Sequence, residues 1–272
     1  GICIYNIYHN SSFHNYYYNN CSNNTMHGKY YANIHGANCS NNKFAGVTWG
    51  NIFKDWASWS TFGDAFMKNT IGEYSYYNTF GDYVYNNTIG ANSTNNTFEQ
   101  AIQNNTIGSE FVDNYIGQVF SSNTIGNKCK SNVFRGLFQN NTLGNSTTYC
   151  DFGVRTTYCK FGNSNISIIT KGHNLELELG SECGAITFGI DCDMIKFYSN
   201  ESTNTLKNRV FAVEVGDGNR GLYITSSDSN VDNVDIKRGV ITTSGTITDD
   251  KILRLTINNT SAFLYKKILL EI

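Results

Sequence analysis

The chain contains no proline, although it is 272 residues long and holds 25 glycines. Proline cannot donate a backbone hydrogen bond, so its absence is typical of a fold in which nearly every backbone N–H pairs with a neighbouring strand. Charge is also scarce: 15% of the residues are charged and the net charge is −2. This composition excludes a strongly basic surface, and we therefore expect no nucleic-acid partner.

Long apolar runs are missing as well. No run approaches the roughly 20 residues that a membrane-spanning helix needs, so we expect no membrane insertion. The sequence starts at Gly1 without a methionine or a recognisable signal peptide, and it enters in the middle of a repeat. We interpret it as a processed product or as part of something longer.

What the chain has in abundance is asparagine at a fixed spacing of nine residues. Each of these asparagines is usually followed by threonine, an apolar residue and glycine. The clearest members are Asn69, Asn78, Asn87, Asn96, Asn105, Asn114 and Asn123. The register extends back to Asn6, with Ser60 as a substitute, and forward through Asn141 to Cys150 and Cys159. An internal repeat of this kind decides the fold before local propensity does.

A second period of 18 residues lies on top of the first. The apolar residue alternates between large and medium, as in Phe62, Ile71, Phe80 and Ile89. Five cysteines are separated by multiples of 18 residues: Cys3, Cys21, Cys39, Cys129 and Cys183. The physical unit is therefore an 18-residue coil made of two nine-residue units, and equivalent residues form columns.

These columns predict an all-β fold, a parallel β-solenoid of about eleven coils over residues 1–199. Successive coils would stack at the strand spacing of about 4.8 Å. The apolar residue and the residue four further on, such as Phe62 and Phe66, share a parity and should both point inward. We expect asparagine at left-handed turns and in amide ladders, and glycine at a corner with positive φ.

The cysteines follow the repeat, and we interpret them as small apolar core residues. Oxidation between Cys3, Cys21 and Cys39 stays open, because one coil brings equivalent Cα atoms within bridging range. After Ser199 the periodicity ends. Alternating segments such as Arg209–Val215, separated by turn signals, predict a small antiparallel β-domain over residues 200–272 that caps the solenoid or forms its tip.

Candidate binding residues begin with the chain's three tryptophans, Trp49, Trp56 and Trp59, together with Asp55. Exposed tryptophan on a rigid wall suits the apolar face of a sugar ring. The alternative interpretation is an aromatic plug at an irregular point of the repeat.

A second aromatic patch contains Tyr74, Tyr76, Tyr77, Tyr83 and Tyr85. Among these, Tyr74, Tyr76, Tyr83 and Tyr85 are candidates to extend a carbohydrate-binding strip. Contact with a neighbouring subunit explains the patch as well, since tyrosine is enriched at protein interfaces.

Catalytic chemistry has less support in the residues. Glu73 and Asp82 are nine residues apart and should lie on opposite sides of a coil, and Glu110 and Asp113 have no cationic neighbour in the sequence. We predict no catalytic residue, and keep a polysaccharide-degrading enzyme as an alternative because paired carboxylates are its usual machinery.

Two histidines, His9 and His27, are 18 residues apart and should stack one above the other. No third ligand is evident beside them. We therefore predict neither a metal site nor a cofactor.

The Asn-Thr-Phe/Ile-Gly units, the late change to Cys-x-Phe-Gly, and the segments Asp193–Phe197 and Asn208–Val215 together resemble "NTFG" repeat proteins of phages and prophages of gut Bacteroidales. Those relatives are tail-fibre or receptor-binding proteins. The resemblance implies a virion or extracellular location, a cell-surface glycan and other tail proteins as partners, and a homo-oligomer, most simply a trimer. It implies no particular catalytic residue, and a bacterial surface adhesin is the further alternative.

Overall fold

The computed structural model describes residues 4–189 and, beyond them, the strands Cys192–Ser199, Thr203–Lys207, Val210–Asp217, Gly221–Thr225, Val231–Ile236, Ile241–Ser244, Leu255–Thr256 and Leu269–Leu270. Within these residues every regular element is a β-strand. The chain divides into two compact units, Gly1–Leu137 and Phe138–Ile272.

The first unit is a parallel β-solenoid whose strands pair, in register, with strands 18 residues away, for example Thr79 with Thr97 and Ile89 with Ile107. Each coil contributes three short strands. The first column is Ile7–Tyr8, Thr25–Met26, Lys43–Phe44, Thr61–Phe62, Thr79–Phe80, Thr97–Phe98, Tyr115–Ile116 and Val133–Phe134. The second is Ser12–Phe13, Tyr30–Tyr31, Thr48–Trp49, Ala65–Met67, Tyr83–Tyr85, Ala101–Gln103, Val119–Ser121 and Leu137–Gln139. The third is Tyr16–Tyr17, Ile34–His35, Ile52–Phe53, Thr70–Ile71, Thr88–Ile89, Thr106–Ile107 and Thr124–Ile125.

The second unit has the same parallel pairing with longer strands. Its members before residue 190 are Thr142–Leu143, Asp151–Phe152, Arg155–Phe161, Ile169–Thr170, His173–Leu179 and Thr187–Phe188. Pairs such as Cys159 with Leu177 keep the 18-residue register. The predicted all-β parallel solenoid with 18-residue coils is therefore confirmed in each unit.

Six side chains per coil point inward. In one coil of the first unit they are Ser93, Asn96, Phe98, Ile102, Asn105 and Ile107, all buried. The expected inward pair, the apolar residue and the residue four further on, is confirmed. Phenylalanine rings stack along the column, as between Phe80 and Phe98, whose ring centroids are 4.6 Å apart. The core is thus a set of parallel columns, each repeated at the spacing of the coils.

The repeated asparagine is buried and fully hydrogen-bonded. The side-chain oxygen of Asn96 accepts from both the backbone N–H (2.9 Å) and the side-chain amide (3.1 Å) of Asn78 in the preceding coil. The side-chain amide of Asn96 in turn donates to the carbonyl of Ser75 at 3.0 Å and to Asn114 in the next coil. A buried amide is tolerated here because its donors and its acceptor are satisfied.

Other residues can take the same place in this ladder. The hydroxyl of Ser60 accepts from the backbone N–H of Asn42 at 3.2 Å and donates to the carbonyl of Ser58 at 3.0 Å. In the second unit, the thiol of Cys159 donates to the carbonyls of Thr157 and Phe138. The six cysteines at 21, 39, 129, 150, 159 and 183 are all buried, and burial raises the pKa of Cys159 to about 12. Cys3 lies outside the described residues.

The expected amide ladder is confirmed, but the left-handed conformation expected of its asparagines and the positive φ expected of the repeated glycine were wrong. Left-handed φ occurs at the residue before the ladder position, as in Asn86 and Asn95, and not at the ladder asparagine itself. The repeated glycine does not have a positive φ. A Cβ on Gly90 would lie 2.5 Å from the backbone of Gly72, so glycine is required by the close approach of successive coils. A nine-residue period fixes spacing but not which residue turns, which explains both errors.

The antiparallel arrangement expected after Ser199 was also wrong for the strands that the structure describes. Thr203 pairs in parallel with Gly221, and Val210 pairs in parallel with Val231. The spacing between paired residues is 18 and 21 residues in these two pairs and 27 residues between Thr242 and Leu269, so the constant period is lost and the repeat is hidden in the sequence. Alternation of apolar and polar residues is the same in parallel and antiparallel strands, so it could not distinguish them. The domain boundary at residue 199 stays a prediction.

An early coil of the first unit buries Tyr30 and His35 in the columns that hold Ile102 and Ile107 in a later coil. His35 lies between the parallel rings of Tyr17 and Phe53, with centroids 4.6 and 4.8 Å away. Its Nε2 atom is hydrogen-bonded to the hydroxyl of Tyr30, while its Nδ1 atom is buried without a partner. Burial lowers the pKa of His35 to about 3 and raises that of Tyr30 far above its ordinary value.

Replacing Asn105 by alanine should lower the free energy of unfolding by about 2 to 4 kcal/mol, because the amides of Asn87 lose their buried acceptor. Asn105→Ser should cost clearly less, since Ser60 shows that a hydroxyl can serve in the ladder. Urea unfolding followed by circular dichroism measures both. Equal losses for the two variants would contradict the proposed role of the side-chain acceptor.

His35 should make the free energy of unfolding decrease as the pH is lowered. Its imidazole is neutral when folded and protonates near its ordinary pKa of 6.5 when unfolded, so its contribution is complete above that value and declines toward pH 3. Between pH 7 and 4.5 the expected loss is about 2 to 3 kcal/mol. The double variant Tyr30→Phe/His35→Phe should lack this part of the loss in urea titrations at the two pH values. The same pH dependence in both proteins would exclude His35 as its source.

Candidate functional site: an aromatic corner

Every described coil of the first unit turns through a corner that contains two left-handed residues, three positions apart. In three coils both are asparagine, which tolerates this conformation, as in the pairs Asn38 and Asn41, and Asn92 and Asn95. Two further coils carry Glu110 with Asp113 and Lys128 with Ser131. The residue just before the second left-handed position, such as Ser40 between Asn38 and Asn41, forms an isolated parallel bridge to the equivalent residue of the next coil. The corner therefore repeats its backbone in every coil, while its side chains are free to vary.

In two successive coils the corner is aromatic. Trp56 and Trp59 have φ of 66° and 52°, and Tyr74 and Tyr77 have φ of 57° and 55°. A left-handed conformation costs a bulky residue about 1 to 2 kcal/mol more than the same position costs asparagine. The scaffold does not require these side chains, because neighbouring coils make the same turn without them.

The four rings form two stacks. Trp56 lies on Tyr74 with ring centroids 4.6 Å apart and an interplanar angle of 12°, and Trp59 lies on Tyr77 at 4.3 Å and 16°. Tyr76 stands between the stacks, edge-on to Trp56 at 6.5 Å and to Tyr77 at 5.9 Å. We call these five residues the corner cluster. Trp59 is 56% exposed and Trp56 is 44% exposed, so the cluster presents a continuous aromatic surface to solvent.

The remaining predicted site residues lie elsewhere on the coil. Trp49 is on the strand Thr48–Trp49, with Tyr31 packed against it at 5.9 Å and the ammonium of Lys68 5.4 Å from its ring. Tyr85 shares this column through Met67, which pairs with both Trp49 and Tyr85.

Aromatic and aliphatic side chains, exposed except for the half-buried Tyr31, recur in this column and in the column of the next strand. We call these residues of the two columns the sheet-face strip: Phe13, Tyr16, Tyr31, Trp49, Ile52 and Tyr85. The strip and the corner cluster belong to different segments of the coil. The sequence therefore placed Trp49 with Trp56 and Trp59, which the structure separates. It did not indicate that Phe13 and Tyr31 lie in the same column as Trp49.

Asp55 and Tyr83, which are also predicted site residues, do not belong to the stacked rings of the corner cluster. The Asp55 carboxylate accepts a hydrogen bond from the backbone N–H of Glu73 at 2.9 Å, linking two coils beside the corner cluster. Tyr83 is exposed on the strand Tyr83–Tyr85. Tyr77 was named in the tyrosine patch without a binding role, and the structure places it in the cluster's second stack.

Glu110, which has no cationic neighbour in the sequence, acquires one in the fold. Lys128 donates to Glu110 at 2.9 Å, because 18 residues bring the two side chains onto adjacent coils. In the second unit, Lys160 pairs with Glu178 and Lys171 with Asp151. Sequence proximity alone missed these partners.

The described residues contain no group of three or more potential metal ligands. His9 and His27 stack as expected, with ring centroids 5.3 Å apart and an interplanar angle of 5°. No helix among the described residues could span a membrane.

Comparison with protein-family models, curated proteins and solved structures finds no match for this chain. The site must therefore be interpreted from its own geometry.

Replacing both cluster tryptophans with asparagine, Trp56→Asn/Trp59→Asn, should change the free energy of unfolding by less than about 2 kcal/mol. Loss of two ring stacks costs about 0.5 to 1.5 kcal/mol each, and relief of two left-handed conformations returns a similar amount. Urea unfolding measures the change. Tyr149→Asn is the matched control, since Tyr149 is left-handed and exposed while Ser167 occupies the same position one coil later. A loss above about 4 kcal/mol would identify the cluster as a structural plug.

Proposed function

We propose that this chain is a structural and host-receptor-binding component of a phage tail fibre or tail spike, and that it recognises a cell-surface polysaccharide through the corner cluster. The observation that carries the proposal is the replacement of small polar corner residues by two stacked pairs of exposed aromatic rings. The scaffold neither needs nor favours these rings, so their presence is best explained by a ligand.

The geometry suits such a role. The rings are held by stacking on each other and by edge contacts with Tyr76, so little side-chain freedom is lost when a ligand binds. Aromatic faces and edges pack well against the C–H groups of pyranose rings, and the tyrosine hydroxyls add polar contacts. The strands behind the corner are fixed to both neighbouring coils, which keeps the binding surface rigid.

The sheet-face strip supports a second part of the proposal, assembly with further copies of the chain. At the same columns, later coils of the first unit carry Gln103, Ser121, Thr88 and Thr106. Apolar side chains are therefore confined to the early coils, as expected for an interface and not for the scaffold itself. A homotrimer located in the virion tail, in contact with other tail proteins, follows from the proposed function.

Gel filtration with light scattering tests both parts in one run. We expect purified protein at about three times the chain mass of 30.4 kDa, co-eluting with capsular polysaccharide from at least one gut Bacteroidales strain, and polymer of unchanged length. Trp56→Asn/Trp59→Asn should weaken this association at least about tenfold, because the ring faces supply most of the contact. Tyr149→Asn should bind like the unmodified chain.

Four results would contradict parts of the proposal. Undiminished binding by the tryptophan variant would remove the corner cluster as the site, and a shortened polymer would indicate a polysaccharide-degrading enzyme. Absence of binding to every polymer would favour a spacer or an adhesin with another ligand. A monomeric mass would exclude the sheet-face strip as an interface between copies.

A further inference from the structure

Both ring stacks of the corner cluster end on asparagine in both directions along the solenoid. The column that contains Trp56 and Tyr74 continues to Asn38 in the preceding coil and to Asn92 in the following one. The column that contains Trp59 and Tyr77 continues in the same way. Its flanking residues are Asn41 and Asn95. Four amides at equivalent left-handed positions therefore border the cluster.

Each stack covers one face of each ring and leaves the other face directed along the solenoid. Trp56 and Trp59 turn their uncovered faces toward the coil of Asn38 and Asn41, and Tyr74 and Tyr77 turn theirs toward Asn92 and Asn95. An asparagine side chain is much shorter than an aromatic one, so each ring face overhangs the amide beside it. The exposure of Trp56 and Trp59 agrees with such an overhang. The result is a ledge at either end of the cluster, with a ring face as one wall and two amides at its base.

The charge around the ledges is negative. The four corner segments 37–41, 55–59, 73–77 and 91–95 contain Asp55 and Glu73 but no lysine or arginine. Lys54, which precedes this corner, has its ammonium 5.6 Å from the ring of Tyr16, on another segment of the coil. Lys43 lies outside these segments, exposed on the strand Lys43–Phe44 two residues after Asn41. Within the four segments a polyanion would meet two carboxylates and no cation.

One class of ligand fits ring faces and paired amides on corner segments that hold no lysine or arginine. The apolar face of an uncharged pyranose packs on an aromatic ring, while its hydroxyls exchange hydrogen bonds with amide groups that both donate and accept. We infer that the two ledges are sugar subsites for an uncharged polysaccharide, with one hexose unit against Trp56 and Trp59 and another against Tyr74 and Tyr77. This inference rests on the proposed function and specifies the class of its ligand.

The test removes the amides and leaves the rings. Asn38→Gly/Asn41→Gly and Asn92→Gly/Asn95→Gly delete the ledge amides, and glycine accepts the left-handed backbone. Asn20→Gly/Asn23→Gly is the matched control, because these residues occupy the same two columns one coil further from the cluster. Affinity gel electrophoresis of each protein uses dextran, pullulan and galactomannan as uncharged probes, and polygalacturonate and hyaluronate as acidic ones.

We expect at least one uncharged polymer to retard the unmodified chain and the control equally, and no acidic polymer to do so. Each ledge variant should bind about threefold to tenfold more weakly, the effect of losing one or two hydrogen bonds. Retardation by acidic polymers alone would overturn the inference. The inference would also be overturned if the ledge variants bound normally while Trp56→Asn/Trp59→Asn did not bind. The proposed function would stand in that case. If the tryptophan variant were retarded as strongly as the unmodified chain, the proposed function and the inference would both be overturned. The same holds if no polymer retards any of the proteins.

Discussion

The fold depends on the exact superposition of one coil on the next. Parallel pairing at 18-residue intervals satisfies the strands, but the turns between strands would leave buried N–H groups without partners. The asparagine ladder supplies those partners: each side-chain oxygen receives the backbone and side-chain amides of the previous coil, as Asn105 does for Asn87. The absence of proline and the close approach at Gly90 follow from the same requirement.

Because the backbone repeats in every coil, a side chain that differs from those at the same position in other coils is a candidate functional residue. Corners in most coils carry asparagine, serine or a charged residue, whereas two adjacent coils carry Trp56, Trp59, Tyr74 and Tyr77 in the same strained conformation. Such strain is typical of sites where side-chain chemistry matters more than stability. The sheet-face strip departs from the repeat in a different way, at exposed strand positions with ordinary backbone. This difference supports the proposal that the two surfaces serve different partners.

Rigidity links the fold to the proposed recognition. The backbone of a solenoid corner changes little when a ligand binds, because each corner is hydrogen-bonded to the coils before and after it. Its advantage lies in preorganisation: stacked rings lose little freedom on binding, and contacts of modest strength suffice when a repetitive polymer meets several copies at once.

Periodicity in the sequence determined the solenoid, its 18-residue coil, the inward columns and the exposed position of the tryptophans, because in-register stacking maps sequence spacing directly onto space. It could not determine which residue at each turn is left-handed, why glycine recurs, or that strands such as Thr203–Lys207 and Gly221–Thr225 pair in parallel. Those features depend on backbone distances between coils. The tertiary structure alone also decided that Trp56 and Tyr74 stack while Trp49 lies apart with Tyr31, since contacts between coils join residues that no local pattern relates.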